Sequence, residues 1–230
     1  MRTLIQAGSG YERNPEELFA LESQGGGEIT RGRARIVFFS LGGRDYVRKH
    51  YARGGFVRHL ISDRYAFSGL ERTRMWREFR LLQRLRQMDL PVPEPAAVRC
   101  VLHTPFTYSG ELVTRRLPGA ETLGAILRRQ ALPPGIWTSI GRTIGRFHRQ
   151  SVYHSDLNIE NIMLDPESRI FLLDFDKGSI RPGRRKTWMR RNLDRLHRSL
   201  RKAHDHSESF HFAPDDWSRL IDGHQGRPPE

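Results

Sequence analysis

The segment from Val152 to Asp176 limits what this chain can fold into more than any other, because polar groups and short apolar runs alternate in it at fixed intervals. Its first part, Val152-Tyr-His-Ser-Asp-Leu-Asn-Ile-Glu-Asn161, puts His154, Asp156 and Asn161 on one loop. Two short apolar strands follow, 162–164 and 170–173, on either side of a turn at Asp165-Pro166. The second strand delivers Asp174, at the head of Asp174-Phe175-Asp176. Four polar groups in register with two strands of suitable length are hard to obtain by accident. Their residue types suit phosphoryl transfer, whose loose transition state needs positioning and charge neutralisation rather than covalent help. A carboxylate can face an acceptor hydroxyl, and oxygen ligands can hold magnesium.

The chain before this segment changes character along its length. After a helix-like stretch over 15–22, Gly25-Gly26-Gly27 interrupts the chain. Residues 35–40 and 44–51, joined through Leu41-Gly42-Gly43, read as a hairpin that ends at Gly54-Gly55. From 71 to 88 the apolar positions Met75, Phe79, Leu82 and Leu85 recur at three- and four-residue steps, which predicts one buried helical face. Three prolines between Leu90 and Pro95 force an extended run, and 96–102 and 111–114 read as further strands. Beyond Pro118-Gly119 the pattern turns helical, over 121–129 and again over 134–150, where Ile140, Ile144, Phe147 and Ser151 share a face. A basic helix is expected over 186–204, and the chain over 224–230 is expected to be frayed. The fold class is therefore α+β, with a strand-rich unit at 1–117 carrying the 71–88 helix and a mainly helical unit at 118–230.

Charge narrows the partners. Thirty-nine Lys and Arg against 26 Asp and Glu give a net charge of +13, which favours polyanions such as anionic lipid headgroups, phosphorylated sugars or nucleic acid. The single Cys100 excludes an internal disulfide and a multi-cysteine zinc site, and it is expected to be a buried, inert thiol in a reducing cytoplasm. Residues 1–11 lack the apolar core of a signal peptide, and no run approaches the roughly 20 apolar residues of a membrane span. Membrane contact is expected to be peripheral.

The loop and the turn resemble the catalytic and metal-binding segments of the protein kinase superfamily. His154-Ser-Asp-Leu-Asn-Ile-Glu-Asn161 is similar to H-R-D-L-x-x-x-N, and Asp174-Phe-Asp176 to D-F-G. The resemblance implies a bilobal fold, an N-lobe antiparallel sheet with one long helix, and ATP and Mg2+ as cofactors. Asp156 would orient or deprotonate the acceptor hydroxyl, Asn161 and Asp174 would hold magnesium, and His154 would buttress the loop. Ser155 replaces the arginine that reads activation-loop phosphorylation, and Asp176 replaces the glycine, so regulation of the protein-kinase type is not implied. Superfamily logic also asks for a strand cation on the ATP phosphates and a helical glutamate paired with it. Lys49 fits the first, with Arg48 on the opposite strand face as the alternative; Glu78 fits the second, with Glu71 in reserve. Gly32, with Arg33 beside it, stands where a phosphate-covering loop belongs, and the 111–115 segment is expected to serve as the adenine-facing hinge.

Three further segments narrow the acceptor. Tyr46-Val-Arg-Lys-His-Tyr-Ala-Arg-Gly-Gly55, Asp174-Phe-Asp-Lys-Gly178 and the helix containing Asn192-Leu-Asp-Arg-Leu-His-Arg-Ser-Leu200 resemble the lipopolysaccharide core kinases, and among them the 3-deoxy-D-manno-octulosonic acid (Kdo) kinase family. That resemblance implies phosphorylation of a Kdo sugar, at its 4-hydroxyl, on lipid A precursor at the cytoplasmic face of the inner membrane. The partners implied are a lipid-linked sugar and an anionic membrane surface, with no nucleic acid and no obligate protein partner. Between Arg181 and Lys202 there are ten Lys or Arg and one acid, Asp194, so Arg190 and Arg191, with Arg53 after the hairpin, are candidates for the acceptor or membrane surface. A packed helix whose basic face is merely solvated is the alternative. A heptose kinase, a soluble small-molecule phosphotransferase and a silent nucleic-acid-binding protein on the same scaffold are the other functions weighed.

Overall fold

Strand-forming sequence dominates the first hundred residues, and a computed structural model shows how it is arranged. The structure describes residues 1–11, 13–20, 29–31, 34–51, 64–181, 183, 187–207 and 209–227. The chain divides into two compact units: Met1–Arg84 with Pro93–Arg116, and Leu85–Val92 with Leu117–Glu230.

The first unit is an antiparallel sheet with one long helix. Its strands are β1 (Arg2–Ala7), β2 (Ile29–Arg31), β3 (Ala34–Leu41), β4 (Arg44–Tyr51), β5 (Tyr65–Ala66), β6 (Pro95–Thr104) and β7 (Thr107–Arg115), and α1 (Glu17–Ala20) is a single helical turn. The sheet runs β1-β6-β7-β4-β3-β2, with β5 pairing β7. In the β3–β4 hairpin Leu41 faces Arg44, and the two residues between them, Gly42 and Gly43, take positive φ. A three-residue turn at Leu70–Arg72 leads into α2 (Arg74–Gln87), whose Met75, Phe79, Leu82 and Leu85 are all buried, as their spacing predicts. Gly110 makes the close packing possible, since a β-carbon there would sit 2.1 Å from the Met75 Cε. On the other sheet face Phe39, Tyr46, Ala97 and Val113 form a second apolar layer with Tyr11, Leu18 and Phe19.

The sequence signals missed β1, which pairs with β6 from Arg2↔Leu102 to Ala7↔Ala97. The 111–115 segment also differs from expectation. It lies inside β7 with β4 on one side and β6 on the other, so its backbone groups are committed to the sheet, and the chain leaves the sheet only after Arg115. Cys100 is buried, and burial pushes its thiol up to about 11, which keeps it protonated and unreactive.

The second unit is mainly helical. Its elements are β8 (Glu121–Thr122), α3 (Leu123–Leu127), α4 (Pro134–Arg149), β9 (Val152–Tyr153), β10 (Ile162–Leu164), β11 (Ile170–Leu172), β12 (Ser179–Ile180), α5 (Thr187–Asp205) and α6 (Pro214–Gln225). Helix was expected from 121, but Glu121 and Thr122 pair with β10, and Thr122 instead caps α3 through its hydroxyl, which accepts from the Ala125 N–H. The frayed end expected from 224 is corrected for 224–226, while 228–230 lie outside the described residues. His224 belongs to α6, which packs on α4 almost backbone to backbone: a β-carbon on Gly141 would lie 1.8 Å from the Leu220 carbonyl oxygen, and one on Gly223 would lie 2.1 Å from that of Thr138. His148 and His224 meet across this contact, Nδ1 to Nε2 at 2.8 Å. No helix among the described residues is long and apolar enough to cross a membrane.

Candidate active site

The loop 154–161 is built by short-range bonds that its own polar residues supply. Asn158 donates to both the carbonyl and the Oδ2 of Asp156, each at 3.1 Å, and its Oδ1 accepts from the Glu160 N–H at 2.9 Å. Asn161 donates through Nδ2 to the Asp156 carbonyl at 2.9 Å, which leaves its Oδ1 as an acceptor. Leu157 and Ile159 are buried beneath the loop and fix its outward face.

His154 ties this loop to the next segment. Its buried ring accepts the Asp156 N–H at Nδ1 (3.1 Å), so Nε2 carries the proton and donates to the Leu173 carbonyl at 2.7 Å. Phe175 packs against that ring with centroids 4.7 Å apart and stacks on Phe147 of α4 at 5.7 Å. The buttressing position expected of His154 thus has a concrete form in two bonds and an aromatic contact.

The β10–β11 hairpin gathers the other two predicted residues. Ile162 pairs with Leu172, and the turn closes where Asp165 accepts the Arg169 N–H at 2.8 Å. Burial alone would raise the Asp165 carboxyl, but its bonds from Arg169 outweigh that and hold it low. At the open end of the hairpin the Leu173 N–H donates to the Asn161 carbonyl at 2.9 Å, so Asn161 and Asp174 leave adjacent strand ends. Asp174 has φ +57°, and this left-handed residue turns the chain away from the β11 direction. Ser155 donates to the Asp176 carbonyl, and β12 pairs with β9, so the turn after Asp174 is held at two points. An amide oxygen and a carboxylate are hard oxygen donors of the kind magnesium takes, and magnesium needs only one or two such side chains when phosphates complete its shell. Among the described residues no group of three or more His, Cys, Asp or Glu side chains could hold a metal ion.

Helix α5 supplies residues that sequence reasoning did not assign to the site. Asn192 is buried, accepts the His154 N–H at 3.3 Å and donates to the His154 carbonyl at 2.6 Å. Arg195 places Nη1 3.1 Å from Asp156 Oδ1, and Ser199 Oγ accepts the Ile159 N–H at 3.2 Å. These three sit at helical spacing within Asn192-Leu-x-Arg-Leu-x-Arg-Ser-Leu200, so the signal was in the sequence; only its target was not. The buried residues Trp188, Asn192, Leu196 and Leu200 recur every four residues, while Arg190 and Arg191 are exposed.

The first unit carries the cation pair. Lys49 Nζ lies 3.0 and 3.3 Å from the two Glu78 carboxylate oxygens, and Glu78 is 4% exposed. Strand parity decided between the two candidates: Lys49 faces α2, whereas Arg48 lies on the opposite face with Glu111. There burial would raise Glu111, but the His50 hydrogen bond and the Arg99 and Arg48 charges hold its carboxyl low. Tyr51, two residues after Lys49 and on the same face, also donates to Glu78; it was not foreseen. Glu71, the reserve, pairs with Arg80 on the surface. Gly32, Arg33 and Arg53 lie outside the described residues.

The fold assembled from these parts is found among solved structures. WaaP in complex with acyl carrier protein aligns with a TM-score of 0.64 and 19% identity, covering 99% of this chain and 90% of that one. The fold is thus the protein-kinase-like one, α+β with an antiparallel sheet in one unit and helices dominating the other, and its family makes the protein a phosphotransferase. Residues 21–224 match the lipopolysaccharide kinase (Kdo/WaaP) family, and the chain belongs to that family. Its relatives include 3-deoxy-D-manno-octulosonic acid kinases of Vibrio parahaemolyticus, 39% identical over 74% of this chain and 71% of the relative, and of Haemophilus influenzae, 40% identical over 75% and 72%. Another, from Xylella fastidiosa, is 42% identical over 78% of this chain and 69% of its own length.

Proposed function

We propose that this protein is an ATP-dependent kinase that phosphorylates the Kdo sugar of a lipid A precursor, at its 4-hydroxyl, during assembly of the lipopolysaccharide inner core. The observation that carries this reading is the convergence of Asp156, Asn161 and Asp174 on one rigid frame, in a chain whose relatives are named for the same acceptor. Asp156, 55% exposed, presents a carboxylate that can accept the acceptor hydroxyl's hydrogen bond and then its proton. Asn161 Oδ1 and the Asp174 carboxylate would hold magnesium, which when bound neutralises charge on the transferring phosphoryl group. Lys49, kept extended by Glu78 and Tyr51, is the cation for the ATP phosphates. Arg190 and Arg191 present charge suited to anionic headgroups and so favour work at the cytoplasmic face of the inner membrane, without a span.

The test is Asp156→Ala. Its side chain is exposed, so the melting temperature should stay within a few degrees of the parent, while turnover of Kdo-linked acceptor should fall by about 10²- to 10⁴-fold, the range for one general base. Undiminished turnover would remove Asp156 from the chemistry.

A further inference from the structure

Arg195 sits differently from its neighbours on α5. Asn192 and Ser199 grip the loop backbone and are buried or half-buried, but the Arg195 side chain is 46% exposed and its partner is the carboxylate of Asp156. An ion pair this exposed contributes at most about 1 kcal/mol, so stability gives little reason for an arginine here. The contact uses Nη1 alone, on Oδ1, while Asn158 holds Oδ2. Each oxygen of the carboxylate that should receive a hydroxyl proton therefore already accepts one hydrogen bond before any acceptor arrives. A guanidinium is a planar fork whose parallel N–H groups match a carboxylate, and one-armed contact with Asp156 leaves most of that fork unused. The acceptor in the reading above is a sugar acid, with its hydroxyl and its carboxylate on one molecule.

We propose that Arg195 is an acceptor-binding residue that reads the carboxylate of the sugar acid and, in doing so, releases Asp156 to the hydroxyl. The inference rests on the sugar-acid acceptor of the proposed function. Without acceptor, the pair with Asp156 holds the guanidinium beside the point where the hydroxyl must sit, which lowers the ordering cost of binding. With acceptor, the Nη1–H moves from Asp156 Oδ1 to the acceptor carboxylate, and the vacated Oδ1 accepts the hydroxyl O–H. One contact is lost and two form. A substrate lacking the carboxylate leaves the guanidinium on Asp156 Oδ1, so the exchange ties specificity to presentation of the base.

Steady-state kinetics of the full-length protein with ATP and magnesium test this, using the Kdo-linked acceptor as the free acid and as its methyl ester, with the parent enzyme and with Arg195→Met and Arg195→Lys. Esterification should raise the acceptor KM of the parent by about ten- to a hundredfold, the worth of one charge-assisted contact. Arg195→Met should raise the free-acid KM by a similar factor, and combining variant and ester should add less than about twofold, because both remove one interaction. Arg195→Lys should recover part of the free-acid KM and none of the ester's. Equal KM values for acid and ester with the parent enzyme, or an Arg195→Met penalty of the same size on both, would overturn the assignment while leaving the kinase reading standing. No turnover of either acceptor by the parent would overturn both.

Discussion

The Lys49–Glu78 pair and the 154–161 loop each fix one carboxylate, and they do it by opposite means. Glu78 is 4% exposed and held by two donors of other elements, Lys49 and Tyr51, both on one face of β4. Asp156 is 55% exposed, and its loop is fixed from below by neutral groups, chiefly His154 and Asn192. A buried charge is a positioning device, and it depends on its partners because an uncompensated charge in the interior is expensive. An exposed carboxylate can meet a substrate, and it depends on its scaffold because the loop beneath it, with Asn158 and Arg195 on its two oxygens, fixes where it points. The two regions should therefore fail differently.

The largest expected effect separates them at once. Lys49→Met leaves Glu78 buried with Tyr51 as its remaining partner on β4, and should cost about 3 kcal/mol of stability together with most of the activity. Chemical denaturation checks the first and turnover the second; a variant as stable as the parent would mean that Glu78 is not held by charge. Next, Asn192→Leu removes both bonds that the buried side chain makes to the His154 backbone, for about 2–4 kcal/mol. Its loss of turnover should exceed its loss of ATP affinity, since the loop and not the cation is disturbed.

A pH effect follows from the same scaffold. Burial, with His224 and His154 adding to it and the Asn192 hydrogen bond opposing it, pushes His148 down to about 3 from an ordinary 6.5. His224 is lowered too, by burial and by the nearby Arg149 charge. The unfolded chain therefore binds protons that the folded one refuses, so the His148 contribution is whole above about pH 6.5 and shrinks as pH falls towards 3, by up to about 1.4 kcal/mol per unit, with His224 acting in the same direction. Melting scans across that range check it, and His148→Phe should flatten the slope. The smallest effect concerns the surface. Charge reversal at Arg190 and Arg191 should lower activity on lipid-linked acceptor by about 30-fold or more, since each basic residue contributes about 1 kcal/mol at an anionic surface, and lower basal ATP hydrolysis less. Equal effects on both activities would detach these residues from the membrane.

How much of this was legible in the sequence depended on whether the cause was local. The α2 face, the β10–β11 hairpin and the pairing of Lys49 with Glu78 follow from periods of 3.6 and 2, and the structure repeats them. Strand β1 follows from a partner some ninety residues away, which no window around Arg2–Ala7 contains. Helix α6 had end signals in Pro214, Asp215, Asp216 and Gly226, but it packs on α4 through Gly223 against Thr138 and Leu220 against Gly141 rather than through a row of large apolar residues, so its stripe is faint. The α5 clamp was visible as a motif and opaque as a mechanism. Nothing within the helix says that Asn192, Arg195 and Ser199 reach the 154–161 loop, because that loop lies some forty residues earlier in the chain.

The central claim is the acceptor, and product analysis tests it most directly. The purified protein, ATP and magnesium are incubated with Kdo-linked lipid A precursor, and the product is examined by mass spectrometry and fragmentation. The account predicts the gain of one phosphoryl group, on the 4-hydroxyl of the Kdo ring. An unmodified Kdo ring, with phosphoryl transfer instead to a heptose-extended core or to a soluble sugar, would contradict it.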